Sequence, residues 1–274
     1  MDVKITLENT TGKPERGKIR LAVSPLQKGR GEKIKPQITE VAAGTGTRTF
    51  EIHFPMGTNP MYWDEFNPNL YRMNISFSGA GNLRDTRQIT FGMREFKTSG
   101  TRFTLNGRPV FLRGTLECAI FPRTGYPPTD TSSWMHIFRI ARAHGLNHMR
   151  FHSWCPPEAA FDAADRMGFY LHVECSSWAN QGSSIGDGKP VDQYIYEESE
   201  RIVNAYGTIP HSVCCSTAMN LPVPARKNGW VILYGSGKAG TPAGYIPAVP
   251  DGPSFPKPIS TALPSRVSST GEKD

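Results

Sequence analysis

Residues Gly107 to Asn180 run GRPVFLRGTLECAIFPRTGYPPTD, then TSSWMHIFRIARAH, then GLNHMRFHSWCPPEAAFDAADRMGFYLHVECSSWAN. Val110 to Leu116 is a short, mostly apolar run that predicts a strand. Asp130 and Thr131 are capping candidates. The apolar residues Trp134, Ile137, Phe138 and Ala141 follow them at helical spacing. Leu146 to His152 predicts a second strand. Pro156 and Pro157 open a second helix with Phe161 and Ala164 inward, and Gly168 stops it. Phe169 to Cys175 predicts a third strand. Strand and helix alternate over short links, so the strands should be parallel and buried on both faces.

The polar residues of this stretch gather where strands are predicted to end. Arg113 and Glu117 close the first, Arg150 and His152 the second, Glu174 the third. Two architectures fit the pattern, an open α/β sheet with polar caps and a closed (β/α) barrel. In a barrel, substrate chemistry sits at the C-terminal strand ends, where the βα loops converge.

Working outward, the first 95 residues differ in character. Val3, Ile5 and Leu7 alternate, as do Ile19, Leu21 and Val23, then Phe50, Ile52 and Phe54. Leu70 to Phe77 does so more loosely, and Ile89 to Phe91 closes the set. Short alternating strands separated by Gly, Pro and Asn predict an antiparallel sandwich with one wet face. Its core should include Ile5, Leu21, Phe50, Ile52, Tyr71 and Ile75. The polar stretch Gln27 to Gly46 reads as loop. Asp64 and Glu65 read as solvated or capping groups, because adjacent residues in a turn or strand point apart. Thr101–Leu105 and Arg108–Leu112 flank Asn106-Gly107, the strongest short hairpin signal, since both residues tolerate positive φ. A third helix is expected from about Gln193 to Ala205, with Ile195, Ile202 and Val203 on its apolar side. The glycine-rich link from Gln181 to Pro190 lacks a P-loop ending and reads as a surface loop.

Composition narrows the function. The 274 residues carry a formal charge of +7, but no basic helix, zinc spacing or aromatic RNA-binding motif accompanies it, so no nucleic-acid partner is expected. No apolar run approaches the ~20 residues of a membrane span. Met1-Asp2-Val3-Lys4 enters a strand directly, without an apolar signal segment, so the start reads as internal to a larger domain plan. The 5 cysteines have no metal-like spacing. Cys118, Cys155 and Cys175 read as buried or pocket-wall thiols.

The stretches LNGRPVFLRG, RFHSWCPP and GFYLHVEC together resemble family 2 of the glycoside hydrolases, the β-galactosidase and β-glucuronidase group. The resemblance runs from about Val3 to Gly207. It rests on the Asn-Gly turn, the Arg-x-His-x-x-x-Pro of the second strand and the Tyr-x-x-x-Glu of the third. It implies a multidomain β plus α/β chain: an immunoglobulin-like sandwich over 1–95, then the N-terminal part of a (β/α)8 TIM-barrel catalytic domain over 96–207. The hairpin would plug the bottom of that barrel. The resemblance also implies a β-glycoside carbohydrate substrate and retaining hydrolysis by two carboxylates. His152 matches a histidine that binds sugar hydroxyls, and Arg150 would orient neighbouring carboxylates. Glu174 matches a glutamate that supports magnesium in some members. Val173 stands where those members carry Asp, so no metal or other cofactor is expected. Glu117 replaces another polar residue, and Arg113 completes the predicted wall. Trp154 and Trp178 are candidates either for stacking a sugar ring or for rim packing. A non-catalytic carbohydrate-binding or immunoglobulin-like interaction module is the alternative.

From Thr208 the reading changes. Ten of the 23 prolines fall here, and the family's fourth strand with its Asn-Glu pair is missing. Back-translated and read two bases later, Met219-Asn220 gives an obligatory Glu, and the surrounding triplets permit NHPSFGLLLYGNEP. Gly240 to Pro253 permits DPRRLYTGGAGWP in the same frame. The expectation is a one-base loss near the Gly207 codon. It would leave a disordered, out-of-frame tail over 208–274 and a chain that lacks both catalytic carboxylates and is inactive as written.

Overall fold

The structure is a computed structural model and describes residues 1–27, 29–100, 102–176, 190–206, 213–217 and 231–234. Six strands come first: β1 Asp2–Asn9, β2 Glu15–Pro25, β3 Gln37–Gly44, β4 Gly46–His53, β5 Tyr71–Ser78 and β6 Arg84–Phe91. They form an antiparallel sheet in the order β3-β2-β5-β6 and a pair β1-β4. The alternation decides which residues face inward. Ile19, Leu21, Val23 and Met73 meet Val3, Ile5 and Ile52 in one buried cluster. Of the predicted core, Ile5, Leu21, Ile52 and Tyr71 are buried, while Phe50 and Ile75 are half-buried against the cluster. Strand β3 corrects the loop reading of Gln27 to Gly46. Of its apolar residues only the modest Val41 and Ala43 face inward, and Ile38 points into solvent at 61% exposure, so its alternation is muted.

Strands β7 Phe96–Ser99, β8 Arg102–Leu105 and β9 Arg108–Val110 make a small antiparallel sheet. Asn106 (φ 51°) and Gly107 (φ 77°) form the predicted tight turn between β8 and β9. Val110 pairs with Phe103 in this hairpin. The first parallel strand, β10, therefore begins only at Gly114 and ends at Glu117. The apolar run Val110–Leu116 is thus divided between two sheets.

Parallel β/α units follow: α1 Thr131–Ala143, β11 His148–Phe151, α2 Glu158–Met167, β12 Tyr170–Glu174 and α3 Pro190–Tyr206. Asp130 caps α1 by accepting from the Ser133 N–H at 2.9 Å. Gly168 ends α2 in the left-handed region at φ 67°. Trp134, Phe138, Phe151, Phe161, Phe169 and Val173 fill the space between helices and sheet, with the Phe138 and Phe169 rings stacked at 4.6 Å. On α3 both Ile195 and Ile202 are buried. The glycine-rich loop and Trp178 lie outside the described residues, as does most of the tail. Two tail segments are described, and they extend the sheet. Strand β13, Val213–Thr217, runs parallel beside β12, and β14, Val231–Tyr234, beside β13. The edge of β12 is therefore paired. Val-Ile-Leu-Tyr is a continuous run of strand-forming residues whose lack of alternation hides it from a period-2 reading.

One loop joins the two regions. Trp63 is fully buried with Leu70, Leu105 and Tyr170, and its indole N–H donates to the Asp165 carbonyl at 2.8 Å. Asp64 caps its own turn by accepting from the Phe66 and Asn67 N–H groups. Glu65 is not solvated, contrary to the sequence reading: its carboxylate accepts from the Asn147 amide at 2.6 Å and lies 3.8 Å from the Arg113 guanidinium. Gly168 meets the Glu65 backbone so closely that a Cβ would sit 2.7 Å from its carbonyl oxygen.

Candidate functional site

Alternation along β11 and β12 separates two faces of the parallel sheet. Met149, Phe151, Leu171 and Val173 enter the helix-packed core. His148 and Arg150, and His172 and Glu174, therefore point to the opposite face, which is helix-free among the described residues. In parallel register His148 lies beside Tyr170 and Arg150 beside His172. Tyr170, in the cluster around Trp63, marks the lower end of that face, the two imidazoles its middle, and Arg150 with Glu174 its upper end.

The upper end carries a paired charge. The Glu174 side chain is almost wholly buried, while Arg150 keeps 39% exposure. Arg150 Nε donates to Glu174 Oε1 at 2.6 Å and its Nη2 lies 2.5 Å from the same oxygen. The Ser153 N–H donates to the other oxygen, Oε2, at 2.8 Å. To do so Ser153 adopts φ +61°, and Ala119, past the end of β10, adopts φ +56°. Left-handed non-glycine residues cost of order 1 kcal/mol or more, and such strain gathers at ligand sites. Here it falls on the loops that follow two adjacent parallel strands.

Below the pair, the His148 and His172 rings lie 5.7 Å apart, and His172 Nε2 is 4.0 Å from Glu174 Oε1. Burial, then the neighbouring charges of His172 and Arg150, pulls the His148 imidazole down to about 4. Burial and Arg150 do the same to His172. Both rings are therefore neutral at neutral pH. Gly114 leaves room for this arrangement: a Cβ there would come within 2.3 Å of His148 Nδ1.

The predicted site residues divide as follows. Arg150 and Glu174 are in direct contact. His152 follows the end of β11, where its N–H donates to the Glu117 carbonyl at 2.8 Å. The Glu117 carboxylate turns back on its own loop and accepts from the Ala119 N–H at 2.9 Å. In register with Phe151, Glu117 points to the helix side of the sheet, away from Glu174. Trp154 donates to the same Glu117 carbonyl at 3.4 Å and packs edge-on against Phe151 and Phe121. Arg113 is a correction. It precedes β10, so it stands at the opposite end of the sheet, where Nε donates to the Gly145 carbonyl at 2.7 Å. The cause is the late start of β10, which the unbroken apolar run conceals.

Sequence reading missed His148, His172 and Ser153. The alternation in His-Met-Arg-Phe and Leu-His-Val-Glu carries the signal for the histidines. Burial pushes the Cys155 thiol up to about 12 and raises Cys175, which disfavours either as a nucleophile, while Cys118 is exposed rather than buried.

Residues 1–94 match the model of Glycosyl hydrolases family 2. Over those residues the chain is similar to glycoside hydrolase family 2. A Formosa agariphila relative named as a β-glucuronidase is 44% identical over 136 residues, which is 49% of this chain and 16% of that protein. A Staphylococcus xylosus β-galactosidase is 29% identical over 143 residues, 51% of this chain and 13% of that enzyme. The chain thus spans under a fifth of the length of either. Among solved structures, a Bacteroides uniformis β-glucuronidase superposes with a TM-score of 0.65 at 17% identity, covering 79% of this chain and 25% of that one. A family 2 β-galacturonidase from Eisenbergiella tayi gives 0.63 at 16% identity, covering 80% and 37%. Both share the arrangement of β-sandwich-like sheets followed by parallel β/α units.

Proposed function

We propose that this chain is a fragment of a retaining β-glycosidase of the β-galactosidase type. In this reading its first sheets are an immunoglobulin-like sandwich, and its β/α units open a (β/α)8 barrel whose interior is the helix-free face. The carrying observation is the Arg150–Glu174 pair at the ends of adjacent parallel strands, braced by a left-handed Ser153. Arg150, His152 and Glu174 would form part of the sugar-binding wall, with Trp154 as rim packing. Glu117 would act through its carbonyl, which fixes the start of the loop that carries His152. Arg113, at the other end of the sheet, has no part in that wall.

Retaining hydrolysis needs a proton donor to the leaving oxygen and a nucleophile at the anomeric carbon. The two carboxylates that supply them stand about 5–5.5 Å apart. In the fourth-strand position here, β13 is followed by Ala218-Met219-Asn220-Leu221, which contains no carboxylate. The chain as written therefore lacks its acid/base and should not hydrolyse glycosides, whereas restoring one base near the Gly207 codon, with the downstream coding sequence, should return activity. Release of a chromophore from aryl β-galactosides and β-glucuronides by both versions tests this. Turnover by the chain as written, abolished by His152→Ala, would refute the inactivity. Silence of the restored version on every aryl β-glycoside would refute the parent activity.

A further inference from the structure

Five of the basic residues that look scattered along the first ninety positions are collected on one surface by the antiparallel register. On β2, Ile19, Leu21 and Val23 face the core, so Arg16, Lys18 and Arg20 face outward. Lys18 pairs with Ser78, which pairs with Arg84, and Ser24 pairs with Arg72. Arg16, Lys18, Arg20, Arg72 and Arg84 thus share the outer face of the β3-β2-β5-β6 sheet. The acidic residue among them is Glu40, 3.4 Å from Lys18. The other four make no ion pair among the described residues. Lys18 and Arg84 stand two strands apart, about 10 Å, and Lys18 and Arg20 about 7 Å along one strand. A groove of about 560 Å³ opens at one end of this face, between Arg16, Lys18, Glu40, Ala42, Ser78 and Gly79.

The outer face of the β1-β4 pair is built differently. It carries Asp2, Lys4, Glu8, Glu51 and His53, and its charges are paired locally, Lys4 with Glu51 at 3.6 Å and His53 with Asp2 at 2.8 Å. Of the two outer faces, that of the β3-β2-β5-β6 sheet is therefore the positive one. Between the cations lie hydroxyls and amides, Ser24, Ser76, Thr86, Asn74 and Gln88, the last two bonded to each other at 2.7 Å, with the exposed Ile38 beside Arg20. No aromatic ring stands among them to stack a nucleotide base.

We propose that this face binds an anionic polysaccharide chain, one bearing uronate carboxylates or sulfate esters, at a site separate from the helix-free face of the parallel sheet. The charge selects an anion, and the interspersed hydroxyls and amides suit a chain rich in hydroxyl groups. The choice of carbohydrate as the polymer rests on the glycosidase reading.

Binding of the full chain to polygalacturonate, dextran sulfate, neutral dextran and a single-stranded oligodeoxynucleotide, at low and high salt, tests the proposal. Both anionic sugars, or the one whose group the face selects, should bind at 50 mM salt and weaken at least about tenfold by 300 mM, as screening requires. Dextran should not bind. Arg20→Glu with Arg72→Glu should lower the affinity at least about tenfold with an unchanged unfolding midpoint, and Glu40→Gln, which removes the opposing charge, should raise it about twofold. Equal binding of dextran, indifference to salt, unchanged affinity in the charge-reversed variant, or tighter binding of the oligonucleotide than of either polyanionic sugar would overturn the proposal. Because none of these readouts uses hydrolysis, a silent frame-restored enzyme with intact polyanion binding would refute the glycosidase reading alone.

Discussion

Glu174→Gln removes one charge from a buried group and changes almost nothing in shape. The carboxylate accepts from Arg150 through Oε1 and from the Ser153 N–H through Oε2. A glutamine offers one acceptor and one NH₂, so in either orientation a donor faces a donor. If the amide oxygen faces Arg150, the NH₂ abuts the Ser153 N–H; flipped, it abuts the guanidinium. A hydrogen bond to a charged group contributes about 1.5–3 kcal/mol, and breaking a fully buried ion pair costs about 3–5 kcal/mol. Arg150 is 39% exposed and can rehydrate, which puts the expected loss near the lower end, about 2–3 kcal/mol. Urea unfolding followed by tryptophan fluorescence measures it, and a double-mutant cycle with Arg150→Met isolates the pair. The cycle should return a coupling of at least about 1 kcal/mol. A loss below about 0.5 kcal/mol, or additive single effects, would refute the view that Glu174 is held by this pair.

Gly168→Ala should destabilise the chain by about 2–4 kcal/mol, since the new Cβ meets the Glu65 backbone at a position of positive φ; an unchanged urea midpoint would break the argument for that close joint. The pH dependence follows from the two histidines: both sit at about 4 when folded against an ordinary 6.5, so the unfolded chain binds more protons between those values. Stability should therefore fall as pH drops from 7 towards 4, by about 2 kcal/mol for each ring at pH 5, and His148→Phe should remove its share of the slope.

The fold was legible where large apolar residues keep a clean period. Ile19, Leu21 and Val23, or Trp134, Phe138 and Ala141, announce a strand and a helix because each inward position carries enough apolar area to dominate its neighbours. Strand β3 was not legible, because its outward Ile38 is more apolar than its inward Ala43, and the register of β2 decides its place. The limits of β10 were hidden for another reason. Val110 to Leu116 is one apolar run in sequence but two strands in space, and nothing local marks the break at Phe111–Arg113. That error moved Arg113 from the start of a strand to its end, and so to the wrong end of the sheet.

The site was legible in proportion to how local its determinants are. Arg150 and Glu174 could be paired from strand ends alone, since adjacent parallel strands of similar length end side by side. Glu65 could not be placed, because its partner Asn147 is 82 residues away and neither residue carries a periodic signal. The basic face is the same problem on a larger scale. Within β2, a period of two already puts Arg16, Lys18 and Arg20 together. Arg84 joins them only because Lys18 pairs with Ser78 and Ser78 with Arg84, and a slip of one residue in either pairing would send Arg84 to the core side. A formal charge reads as scattered until the register is known, so in an antiparallel domain the partner of a surface has to be sought after the pairing and not from the composition.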